Sequence, residues 1–245
     1  MSDRLRLQAL GRTIELEGSP QTLDAICAKL PVPFVETTDS DVDAAWSIEE
    51  SEPESALAVL ELWLAENADG LIFVHAGCVE IGGAAIVLPG RSLSGKSTLT
   101  AALLECGATY LSDEYAPLDQ HGFVHPYPRP LSIRQGTDGA VLRLGAPAFG
   151  STAATDPVRV ALIATVSHRK GLTQALDTEW ASRAQMVLDL LANTVPARSR
   201  PVESLDAVQA ATRDAVGLRG VRGEAGAAAR ELLRLLDDTS RRSDA

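Results

Sequence analysis

The sequence predicts an α/β fold, a core of strands and helices over residues 69–240 preceded by a small α+β region at 1–68. Three features predict it. Ala84–Leu88 is almost wholly apolar, the pattern of a strand covered on both faces. A glycine-bearing turn follows it directly, and then an Ala/Leu-rich helix from Lys96 to about Cys106. Further on, Val158–Val166 reads as a second buried strand, with helical segments at Arg183–Thr194, Leu205–Val216 and Glu224–Leu236.

In chain order, Leu5, Leu7, Ile14 and Leu16 alternate with polar neighbours, so residues 4–18 read as two short strands. Thr22–Leu30 reads as a short helix, and Val35 and Ala44–Ile48 as short strands. Pro53 opens a helix with an apolar face of Leu57, Leu60, Trp63 and Leu64. Proline suits the first turn because the N–H it lacks has no partner there. Leu71–Ile81 is a strand, joined to Ala84–Leu88 by the tight turn Gly82-Gly83. Tyr110–Ser112 is a short strand that ends at Asp113-Glu114. Val124–Ile133, with Pro126, Pro128 and Pro130, reads as extended chain. Gly136–Pro157 is rich in Gly, Ala, Thr and Asp and reads as a mobile loop, and Asp237–Ala245 as a frayed polar tail.

Composition narrows the function classes. A net charge of -11 argues against a general nucleic-acid binder, while leaving room for a local basic pocket. Aromatic residues make up only 4%, so the core is expected to be built from Ala, Val, Leu and Ile. Cys27, Cys78 and Cys106 are odd in number and widely spaced, which suits free thiols in a reducing compartment rather than a disulfide framework or a zinc site. No apolar run reaches the length of a membrane span, and Met1–Arg4 lacks the start of a signal peptide. The cytoplasm is the expected location, with no membrane or nucleic-acid partner.

The sharpest signal is Gly90-Arg91-Ser92-Leu93-Ser94-Gly95-Lys96-Ser97, which fits the phosphate-loop (Walker A) pattern G-x-x-x-x-G-K-[ST]. Gly90 and Gly95 allow backbone angles that turn successive N–H groups inward. The helix that follows, through Thr98, adds the positive end of its dipole. Lys96 supplies a point charge for β and γ phosphate oxygens, and the Ser97 hydroxyl can ligate Mg²⁺. ATP and Mg²⁺ are therefore the expected ligands of Gly90 to Thr98. Seventeen positions after Lys96, Asp113 and Glu114 stand at a strand end. There they can hold Mg²⁺ or take a proton from an attacking hydroxyl, or form a solvated turn. His75, in the strand before the loop, reads on its own as a structural residue. Arg129 and Arg134 read either as phosphate contacts or as ordinary surface charges.

Together, His75-Ala-Gly-Cys-Val, Gly82-Gly83, Gly90–Ser97, Ser112-Asp113-Glu114 and Leu131-Ser132-Ile133-Arg134 resemble, in order and spacing, the catalytic domain of HPr kinase/phosphorylase. The resemblance covers roughly residues 71–136. It implies a phosphate-loop kinase core related to phosphoenolpyruvate carboxykinases, and assembly as a homo-oligomer. It also implies that Lys96 binds the β and γ phosphates, that Ser97 binds Mg²⁺, and that Asp113 and Glu114 divide metal contact and general-base work, with Asp113 the preferred base. His75 would orient the pair, and Arg134 would neutralise charge on the transferred group. Two departures stand out. Ser132 occupies the place of the family's signature glutamate, and Val195–Pro201, with Arg198 and Arg200, is a poor match to its phosphorolysis loop. Shorter relatives that phosphorylate a serine of a precursor peptide are more similar in size and in a Pro-rich run like His125–Pro130.

The expected activity is therefore transfer of the γ-phosphoryl group of ATP to a hydroxyl, on a peptide or protein serine or on a small hydroxylated metabolite. A nucleotide-binding regulatory module without an acceptor competes with it, and Ser132 is that alternative's best support. A simple ATPase or GTPase switch is weaker, because no Asn/Thr-Lys-x-Asp guanine motif follows the loop.

Overall fold

The computed structural model describes residues 3–31, 33–49, 53–90, 94–135 and 140–243. Two compact units divide the chain, Met1–Gly70 and Leu71–Ala245. The first contains β1 (Asp3–Ala9), β2 (Arg12–Gly18), α1 (Pro20–Cys27), β3 (Val35–Glu36), β4 (Ala44–Ser47) and α2 (Pro53–Asn67), with its strands in the order β3-β1-β2-β4. Alternation decides its faces: Leu7, Ile14 and Leu16 are buried with Leu23, Ile26, Leu60 and Leu64. The Arg4–Glu17 and Arg6–Glu15 pairs lie across the same β1–β2 ladder. Helix α1 starts at Pro20, two residues before the expected Thr22. Ser19 is its cap, the Oγ accepting the Thr22 N–H at 3.3 Å, and Pro20 takes the first-turn position.

The second unit contains β5 (Leu71–Ile81), β6 (Ala84–Pro89), α3 (Lys96–Glu105), β7 (Thr109–Ser112), β8 (Tyr115–Asp119), β9 (Phe123–Val124), β10 (Leu131–Gln135), β11 (Ala140–Leu144), β12 (Val158–His168), β13 (Leu176–Ala181), α4 (Arg183–Leu191), α5 (Pro201–Ala211), β14 (Val216–Arg222) and α6 (Ala225–Ser243). Its main sheet runs β13-β14-β12-β6-β5-β8-β9, with β7 also on β5, and β10 and β11 form a separate hairpin. Strands β14, β12 and β6 are parallel, and β5 runs against β6.

Both faces of the sheet are covered. Ile86 and Leu88 of β6 share one core with Leu99 and Leu103 of α3 and Ala228 and Leu232 of α6. Ala85 and Val87 share the other with Met186 and Leu190 of α4 and Val208 of α5. That is why β6 reads as continuously apolar: each face of the strand meets helices.

Several expectations change. The segment read as a mobile loop holds β11 and a 3₁₀ turn at Ala146–Phe149; its residues 136–139 lie outside the described ones. The helix expected at Leu205–Val216 is α5, which ends at Ala211, and Val216 begins β14. The polar tail continues α6 to Ser243, because Arg234 bridges Glu231 and Asp238 at helical spacing. Cys27, Cys78 and Cys106 are free. Among the described residues no helix is long and apolar enough to cross a membrane.

Candidate functional site

Strand β5 organises the site. On one edge it pairs with β6, Ala76 opposite Pro89, so the chain leaves β6 at Gly90 beside His75, and the His75 carbonyl accepts the Gly90 N–H at 3.4 Å. On the other edge β7 and β8 pair with it in succession, Ser112 opposite Cys78 and Tyr115 opposite His75. Asp113 and Glu114 are the two residues between those ladders. The break in pairing thus brings both acids level with Ala76 and Gly77, across β5 from the loop.

A cavity of about 460 Å³ opens there. It is lined by His75, Lys96, Ser97, Asp113, Glu114 and Arg134, with Gly95, Thr98, Ser132 and Val141. The structure therefore brings together every sequence-expected residue of the acid pair, the start of α3 and its partners. Arg91, Ser92 and Leu93 lie outside the described residues. Gly90 and Ser94 meet next to this lining: an ideal Cβ on Gly90 would lie 3.0 Å from Ser94 Oγ. Gly95 caps α3 at φ 88°, in the left-handed region that glycine tolerates best.

Lys96 is 9% exposed, and its Nζ donates to the Gly90 carbonyl at 2.6 Å. Burial lowers its pKa, and Glu114 and Asp113 oppose that shift. Asp113, 4% exposed, is held above the usual carboxylate range by burial. A hydrogen bond from the Ser97 hydroxyl, and another from the Ser132 backbone, pull in the other direction. Its Oδ1 is buried without a partner. Glu114 is held below its usual range, first by its hydrogen bond with His75. His75 lies between two acceptors, with Nδ1 2.9 Å from the Gly90 carbonyl and Nε2 3.0 Å from Glu114 Oε1. His75 thus ties the loop to the acid pair. Arg129 is half-buried and helps to lower the pKa of Glu114. Arg134 is exposed on the β10–β11 hairpin at the cavity's edge. Arg200 instead pairs with Glu203 and the Leu71 carbonyl, and Arg198 is exposed and absent from the lining.

Among the described residues no group of three or more His, Cys, Asp and Glu side chains converges as a metal cluster. The donor set still suits a hard cation that keeps most of its waters. It offers a serine hydroxyl and the Asp113 carboxylate bonded to it, one oxygen of which is buried without a partner.

Sequence reasoning missed three contributors. Arg222, at the end of β14, donates from Nη2 to the Gly95 carbonyl at 2.9 Å. Gly77 and Thr100 pack beside Asp113: an ideal Cβ on Gly77 would lie 2.5 Å from Thr100 Oγ1 and 3.7 Å from Asp113 Oδ1. The stretch Val216–Arg222 reads poorly as a strand, and nothing local marks Gly77 as a close approach. Gly77→Ala should cost about 1–3 kcal/mol of stability through overpacking against buried Thr100. Adding Thr100→Ala should recover most of that cost. Urea denaturation of both single variants and the double variant measures the coupling, and additive losses would show that Gly77 and Thr100 do not meet.

No protein-family model matches the chain, and no curated protein is significantly similar to it. Among solved structures it has a distant similarity to the Hpr(Ser) kinase/phosphatase from Coxiella burnetii. The identity is 15% and the TM-score 0.38, over 70% of this chain and 97% of that one.

Proposed function

We propose that the protein is an ATP- and Mg²⁺-dependent kinase that transfers the γ-phosphoryl group to a hydroxyl, that of a serine in a peptide or protein. The observation that carries this reading is the convergence of Lys96, Ser97, Asp113 and the His75–Glu114 pair on one cavity at the end of a phosphate-loop sequence. The serine acceptor comes from the family resemblance of residues 71–136. The cytoplasm, where ATP is available, is the compartment this reading implies, and homo-oligomer assembly is part of the same proposal.

In this mechanism the loop N–H groups and Lys96 hold the triphosphate. Lys96 Nζ donates to the Gly90 carbonyl and supplies positive charge for the β and γ oxygens. Ser97 and the Asp113–Glu114 pair would hold Mg²⁺, which when bound neutralises charge on the β and γ oxygens. Asp113 takes the proton of the acceptor hydroxyl as the acceptor oxygen bonds the γ phosphorus. The bond from that phosphorus to the bridging oxygen breaks, and ADP leaves. Burial raises the proton affinity of Asp113, which suits a base. His75 and the bonds it makes keep Glu114 ionised and aligned with the loop. Arg134 lies at the cavity's edge and neutralises charge on the group in transfer.

A second reading, a nucleotide-binding module without transfer, draws on Ser132, which lines the cavity where the resemblance implies a glutamate. Incubation with γ-labelled ATP and Mg²⁺ in dialysed and undialysed lysate of the source organism, with Asp113→Ala as control, separates the readings. Label on a peptide or protein, dependent on Asp113, is the expected result. Label on a small molecule keeps the kinase and discards the peptide. Nucleotide binding with no transfer favours the module.

A further inference from the structure

Ser94 and Gly95, just before α3, are held by the ends of two strands. At the end of β12 the His168 N–H donates to the Ser94 carbonyl at 3.2 Å, and at the end of β14 Arg222 Nη2 donates to the Gly95 carbonyl at 2.9 Å. The same guanidinium donates from Nη1 to the Gly223 carbonyl at 2.8 Å, and its Nε is buried without a partner. A trans peptide carries its C=O and N–H on opposite edges. Tethering the Ser94 and Gly95 carbonyls to the strand ends therefore turns the N–H groups of Gly95 and Lys96 the other way, toward the side on which those residues line the cavity. Gly95 serves this contact as well as the turn, since an ideal Cβ there would lie 2.6 Å from Arg222 Nη2.

The electrostatics point to an anion. Arg222 is 3% exposed, and burial disfavours its charge. It bonds the carbonyl that also accepts the Leu99 N–H, the first hydrogen bond of α3. A cation at that end of a helix faces the positive end of the dipole, an arrangement that works against stability in the protein alone. An anion bound at the same end reverses the sign. We propose that Arg222 is the positioning residue of the Ser94–Lys96 segment, a buried cation bridging the Gly95 and Gly223 carbonyls that presets the N–H groups at the start of α3 for a nucleoside polyphosphate. This rests on the reading of the loop as a nucleotide-phosphate site.

The test is equilibrium binding of Mg-ATP, and separately of inorganic triphosphate, to the full chain. Arg222→Gln and Arg222→Lys are compared with the unmodified protein at a temperature where circular dichroism shows each folded. Arg219→Gln is the control, a half-exposed arginine on the same strand, 3.6 Å from Asp189. The unmodified protein and Arg219→Gln should bind alike. Arg222→Gln should bind both ligands about tenfold more weakly, the loss expected of a charge-assisted contact. Arg222→Lys keeps the charge but not the planar fork, and should bind about threefold more weakly. Unchanged affinity in Arg222→Gln, with only a lower melting temperature, would make Arg222 a structural residue and overturn the proposal. If Arg222→Gln does not fold, Arg222→Lys decides, and unchanged affinity again overturns it. A loss for ATP but not for triphosphate would also overturn it. Absence of binding by the unmodified protein would instead remove the proposed function itself.

Discussion

Lys96→Ala is expected to lower turnover at least a hundredfold while leaving the protein folded. The rate loss follows from the proposed role of Lys96 as the cation that holds the β and γ phosphates, and a hundredfold corresponds to about 2.7 kcal/mol of transition-state stabilisation. The survival of the fold follows from the local hydrogen bonds. The Gly90 carbonyl that loses Nζ at 2.6 Å still faces His75 Nδ1 at 2.9 Å. Glu114 keeps its bond with His75, and Asp113 keeps the Ser97 hydroxyl. Burial already disfavours the ammonium, so its removal relieves a desolvation cost as well as removing two attractions. Lys96→Arg should not rescue the rate, since a planar guanidinium does not replace a compact point charge in a confined cavity. Steady-state kinetics with matched urea denaturation checks both halves. Retention of more than half the activity would rule out the assigned role.

The elements that frame the site were legible because each carries a strong local pattern. The β5 and β6 hairpin has a Gly-Gly turn between apolar runs, and α3 follows a sequence motif. The elements missed lack such patterns for physical reasons. In β8, Pro117 interrupts a short strand, yet it pairs opposite Phe73. The edge strand β13 has only one neighbour in the sheet and mixes polar Asp177, Thr178 and Glu179 with apolar residues, with Trp180 57% exposed. In β14 the glycines suggest a turn, but Gly217 is there for packing: an ideal Cβ would lie 2.6 Å from Met186 Sδ. Missing β14 also hid Arg222, whose contact with Gly95 spans 127 positions. The resemblance placed His75 beside the acid pair. The second bond of its ring, to the loop's own Gly90, depends on β5 lying between both segments, which no local pattern encodes.

Asp113→Asn tests the chemistry most directly and should cost about 10²–10⁴ in kcat, the usual range for loss of a general base. Asparagine matches the shape of aspartate, and its amide oxygen can still accept from Ser97 and the Ser132 N–H, but it cannot take a proton. The fold should be at least as stable as the parent. The carboxylate is 4% exposed, and burial and Glu114 both disfavour its charge, so the neutral isostere relieves both costs. Glu114→Gln should behave differently: it weakens the bond with His75 and leaves the proposed base, Asp113, in place, so a smaller fall in kcat is expected. Measuring kcat together with nucleotide affinity for both variants apportions the roles of the pair. A kcat loss in Asp113→Asn with affinity unchanged fits proton acceptance, because the free enzyme and substrate complex do not need that proton moved. Loss of Mg-ATP affinity as large as the loss of kcat would assign Asp113 to holding the metal. A kcat within tenfold of the parent would leave Asp113 with neither task and transfer the role of base to Glu114.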